Sequence, residues 1–142
     1  MWRLLLCLLF LQPTAFAEPG KEATIVGMPY LGVPDSTIDI EFNGHKCTLY
    51  SLGNIEQQKF SIIFTCNGIE QLLWNEEQTD YEIDDPRFEL LWAGDIDGDG
   101  KLDLRMEVSS KYSCSQIAEF SSNLAGEDQL VGRGVFGNIE CE

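Results

Sequence analysis

The chain of 142 residues has one histidine, His45, and 9 lysines and arginines against 24 aspartates and glutamates. A single imidazole leaves no room for a multi-histidine zinc site. It also leaves Ser109-Ser110 and Ser121-Ser122 without the base or nucleophile elbow that serine hydrolysis needs. The formal net charge of −15 speaks against nucleic-acid recognition, which requires a basic face, and against docking on anionic lipid. There is no glycine-rich phosphate cradle, no Asn-x-Ser/Thr sequon and no internal repeat. No long stretch carries helical periodicity. The most apolar run, residues 4–11, falls well short of the roughly 20 residues that span a bilayer.

What is present begins with an address. Met1-Trp2-Arg3 supplies a positive start, residues 4–11 an apolar stretch, and Ala15-Phe16-Ala17 small residues at a cleavage site. This layout predicts a secretory signal peptide over residues 1–17 and a single mature domain over residues 18–142, periplasmic or secreted. Cys7 lies inside the apolar stretch without small residues before it, which argues against lipid attachment. Four further cysteines remain: Cys47, Cys66, Cys114 and Cys141. An even number in an exported chain implies two disulfides, with three possible connectivities.

From residue 21 onward the dominant period is two. Thr37-Ile38-Asp39-Ile40-Glu41-Phe42 alternates polar with apolar and runs into Asn43-Gly44, a strong hairpin signal. Further strands are expected at residues 45–52, 60–66, 69–74, 87–93, 102–109, 114–122 and 130–141, with a loose tail at residues 18–21. Asn67-Gly68 marks a second tight turn. The expected fold is one all-β antiparallel domain of about eight strands, a meander or a sandwich. In a hairpin, paired positions have a constant index sum. Cys47 and Cys66 centre on the connection at residues 53–59, and Cys114 and Cys141 on that at residues 123–128. Each pair would then face across its own hairpin, which predicts Cys47–Cys66 and Cys114–Cys141 bridges.

The segment that carries chemistry is Gly94-Asp95-Ile96-Asp97-Gly98-Asp99-Gly100-Lys101-Leu102-Asp103-Leu104. With Asp95 as the first position, carboxylates recur at alternate residues through Asp99 and again at Asp103. Gly100 permits the turn that would bring the Lys101 carbonyl to the same centre. Closely packed carboxylates repel one another when empty, and an all-oxygen set suits Ca²⁺ better than Mg²⁺ or a transition metal. The alternative is a solvated acidic turn. An EF-hand would place a bidentate glutamate where Met106 stands, and both flanks alternate as strands do. A strand-loop-strand calcium site is therefore expected.

Leu91-Trp92-Ala93-Gly94 leading into Asp95-Ile96-Asp97-Gly98-Asp99-Gly100-Lys101-Leu102-Asp103-Leu104 resembles the β-loop-β calcium motif of FG-GAP and VCBS-type repeats. It is also similar to the single GDxDGDGKLDL segment of small exported bacterial proteins. The resemblance implies metal ligation by Asp95, Asp97, Asp99, the Lys101 carbonyl and Asp103. FG-GAP repeats build propellers from many copies, whereas this chain holds one.

Residues 75–86 concentrate Glu76, Glu77, Asp80, Glu82, Asp84 and Asp85, either as a solvated loop or as a docking patch for a basic partner. Phe64, Trp74, Phe88 and Trp92 are expected in the core, and His45 on the surface. Together these readings predict a monomeric, non-enzymatic domain with structural calcium that binds a protein or glycan. The alternative is an acidic periplasmic inhibitor of a basic secreted enzyme, such as a lysozyme-type hydrolase.

Overall fold

Alternation of polar and apolar residues sends successive side chains to opposite faces, so such segments are stable only when one face is covered. A computed structural model of the protein, describing residues 20–142, shows how the covering is done. The expected signal peptide, including Cys7, lies outside the described residues. The strands are β1 (Lys21–Glu22), β2 (Thr24–Val26), β3 (Thr37–Phe42), β4 (His45–Asn54), β5 (Lys59–Cys66) and β6 (Ile69–Asn75). They continue with β7 (Glu89–Asp95), β8 (Asp103–Glu107), β9 (Cys114–Ser115), β10 (Ile117–Phe120), β11 (Val135–Phe136) and β12 (Glu140–Cys141). Among the described residues, two 3-10 turns, Glu76–Gln78 and Ser122–Leu124, interrupt them.

Two five-stranded antiparallel sheets result, ordered β2-β3-β4-β5-β6 and β1-β7-β8-β10-β11, with a β9–β12 ribbon beside them. Ile38, Ile40, Leu49, Phe60, Ile62 and Phe64 line the inner face of the first sheet. Leu90, Leu104, Met106, Ala118 and Phe120 line that of the second, and all of them belong to one buried cluster. The architecture is thus a sandwich. Its aromatic centre is Phe88, 4.5 Å from Trp74 and 4.7 Å from Phe60 between ring centroids. Trp92, expected in the core, is only half-buried, because the register shift between Leu90 and Trp92 breaks the alternation of β7.

Both expected disulfides are present. The β4–β5 ladder pairs Thr48 with Thr65, a register that carries Cys47 onto Cys66, and β9 pairs Cys114 directly with Cys141. At Asn43-Gly44 both residues have positive φ, 49° and 76°, the conformation that a two-residue hairpin turn demands.

Three segments differ from expectation, each for a physical reason. The expected loose tail instead enters β1, and β2 follows it. Both are too short to show a period and are held by distant partners, Lys21 by Asp95 and Thr24 by Glu41. Residues 114–122 divide at Gln116, whose N–H leaves the ladder to donate to Glu107 Oε2 at 3.0 Å. Residues 130–141 yield only β11 and β12. Gly132 and Gly134 sit in tight contact with Leu124 and Phe120, where a Cβ would collide, and the backbone of Leu130 and Val131 bonds to the Gln71 side chain instead of to a strand.

The packing of the buried Trp74 ring against Phe88 yields a direct expectation. Trp74→Ala should lower the free energy of unfolding by about 3–5 kcal/mol, measured by urea denaturation followed by circular dichroism.

Candidate metal centre

The strands β7 and β8 are antiparallel neighbours, and residues 96–102 join them. Asp95 ends β7 fully buried, and Asp103 opens β8 with 2% exposure. A buried carboxylate is costly unless hydrogen-bonded, and both are. Asp95 Oδ1 accepts the N–H groups of Gly98 at 2.9 Å and Asp99 at 3.2 Å, while Oδ2 accepts that of Gly100 at 2.6 Å. Three N–H groups folded around one side chain set the loop's curvature. Gly100 meets that curvature at φ +81°, a left-handed conformation that other residues adopt only with strain.

Asp103 closes the loop from the other side. Its Oδ2 accepts Ile96 N–H at 2.8 Å, and its Oδ1 accepts both the N–H of Ser122 at 2.7 Å and its hydroxyl, 2.9 Å away. The same hydroxyl lies 2.9 Å from Asp99 Oδ2, so one proton serves two carboxylates. Asp99 Oδ1 accepts Lys101 N–H at 2.9 Å, and Asp97 Oδ1 accepts Asp99 N–H at 3.3 Å.

These contacts bring one carboxylate oxygen each of Asp95, Asp97 and Asp99 within 4.8 Å of one another. Asp103 stands outside this group of three, its oxygens turned to Ile96 and Ser122. Lys101 lies in the loop, fixed by the bond from its N–H to Asp99. The Asp97 carboxyl is pushed above its ordinary value by loss of solvent, with the charges of Asp99 and Asp103 adding to the effect. For Asp99, burial acts upward, yet hydrogen bonds from Lys101 N–H and the Ser122 hydroxyl outweigh it and hold the carboxyl below the ordinary value.

The donor set fits a hard divalent cation. Three carboxylate oxygens converge with no histidine or thiolate among them, at an exposed bend whose Asp97 and Asp99 face solvent. Reading the motif alone missed Ser122, 19 positions beyond Asp103, where a serine in a Ser-Ser pair carries no local sign of its role. The acidic segment before β7 is also more ordered than a solvated loop. Gln58 grips both the N–H and the carbonyl of Ile83, at 2.7 and 3.0 Å, and Asp84 N–H donates to Ser110.

Comparison with protein-family models gives no match, and comparison with curated proteins and with solved structures gives none either.

Ser122→Ala removes a hydroxyl donor to a charged acceptor in a buried position and should cost about 2 kcal/mol of stability. Part of that cost is pH-dependent. A carboxyl held low when folded stabilises the protein above its ordinary value of 3.8, and the contribution is lost as pH falls through the folded value. The gap between wild type and Ser122→Ala should therefore narrow in acid, as read from urea midpoints measured across pH.

Proposed function

We propose that the protein is a non-enzymatic, calcium-binding β domain that works as an exported protein- or glycan-binding module, with calcium in a structural role. The observation that carries this reading is the convergence of Asp95, Asp97 and Asp99 on one side of a bend between two paired strands. Export is supported by the two disulfides, which persist in oxidising compartments. A divalent ion would relieve the repulsion concentrated on Asp97 and tie the end of β7 to the start of β8. Asp103, with Ser122, would position the loop from behind.

The expected gain follows from mass action. A site with micromolar affinity in millimolar calcium stabilises the fold by about 4 kcal/mol, whereas one with affinity near ambient calcium contributes roughly 0.4 kcal/mol at saturation ratios of one. Titration calorimetry should show one calcium per chain, and a chelator should lower the melting temperature. Asp97 accepts only one weak loop bond, so Asp97→Asn should weaken calcium binding by roughly tenfold or more while the calcium-free protein melts at or above the wild-type temperature. Absence of binding heat together with a melting temperature indifferent to chelator overturns the reading.

The acidic segment favours a second reading. Glu77, Asp80, Glu82, Asp84 and Asp85 are all exposed there, while the segment's backbone is held at Ile83 and Asp84. A preorganised row of carboxylates suits a cationic protein surface. As an inhibitor of a basic lysozyme-type hydrolase, the protein should suppress that enzyme's activity at low salt and release it as salt rises. Undiminished lysis at low salt would rule this second reading out.

A further inference from the structure

The sandwich is closed along one side and open along the other. On the closed side the chain passes at Ala23 from β1 in one sheet to β2 in the other. On the open side, β6 and β11 end their sheets, with no strand beyond them among the described residues. A cleft of about 640 Å³ runs there, with residues 71–75 of β6 as one wall and residues 132–134 as the other.

The β6 wall is main chain that seeks a partner. The two-residue turn at Asn67-Gly68 makes Cys66 and Ile69 a hydrogen-bonded pair, so the alternate residues Glu70 and Leu72 direct their N–H and C=O groups away from β5. Among the described residues, no main-chain bond of β6 leads outside the β5 ladder. In the opposite wall, Gly132-Arg133-Gly134, Arg133 supplies the one side chain beyond Cα. Trp74, which lines the cleft and is 1% exposed, keeps its indole Nε1 without an acceptor.

We infer that the β6 cleft takes an extended peptide segment of a basic partner protein, which adds to the first sheet as a sixth strand. Main-chain bonds to the β6 edge supply affinity. The charged lining residues Glu77 and Arg133 give the peptide a direction by pairing with one basic and one acidic side chain. A net charge of −15 steers a basic partner toward the protein and opposes occupation by a second copy of the same chain. The inference rests on the binding-module reading and names its partner as a peptide strand; the metal is not required for it.

Selection from a displayed library of random dodecapeptides on the full chain tests it, with isotope exchange of backbone amides as the structural readout. Selected peptides should bind one per chain and slow exchange at Glu70 and Leu72. Leu72→Pro removes one outward N–H and leaves the β5 ladder intact, so it should weaken binding by roughly tenfold. Arg133→Glu, an exposed substitution, should weaken it independently. Failure to select any binder, or binders indifferent to both variants, overturns the proposal. So does a complex that proves to be a dimer of the chain by light scattering, or a selected site elsewhere on the surface. Running the selection with calcium and with chelator keeps the two ideas separate: a calcium-dependent melting temperature without peptide binding rejects the cleft alone.

Discussion

The buried carboxylate of Asp95 is the constraint around which the second sheet is organised. A charge with no solvent contact, at the end of a central strand, is tolerable only if donors surround it, and the chain supplies them from its own next five residues. That requirement bends residues 96–102 back on themselves and delivers Asp103 to the start of β8. Asp103 repeats the arrangement one step further out, collecting Ile96 and Ser122 and so fastening β10's end to the loop. The same folding that satisfies the two buried carboxylates brings Asp97 and Asp99 beside Asp95 at the surface. Structural order and the candidate cation site are consequences of one set of bonds.

The sandwich distributes its remaining polar groups unevenly. Ala23 carries the chain between sheets and closes one flank without a long connection. On the opposite flank the Gln71 side chain of β6 bonds to the backbone of Leu130 and Val131, in the segment that precedes β11. Exposed strand edges are usually blunted by charge, proline or a covering segment. On β6 the covering segment is present but stands off across a cleft, which Trp74 helps to line. The protein thus has two distinct surfaces of interest, a candidate cation loop at one bend and a strand edge along one flank.

Much of this was legible in the order of residues. Asn43-Gly44 and Asn67-Gly68 mark their hairpins because only a few residue types accept positive φ at two successive positions. The Cys47–Cys66 pair was legible from the connection at residues 53–59, whose midpoint sets the β4–β5 register that places the two cysteines opposite each other. Trp92 went the other way: its alternation suggested burial, and a bulge in β7 turned it partly outward. β1 and β2 were illegible for a different reason, since segments of two and three residues have no period to read and depend wholly on partners far along the chain.

The sequence by itself determined the all-β class, the two hairpin registers with their disulfides, and the acidic loop between strands, because turns, alternation and short-range spacing act locally. Tertiary structure decided the rest. It determined that Ser122 meets Asp103, that the Asp103 oxygens accept from Ile96 and Ser122, that residues 130–134 lie along a cleft and not in a strand, and that one flank stays open. Each of these depends on which distant segments meet in space, and the bonds formed there override what local pattern would choose.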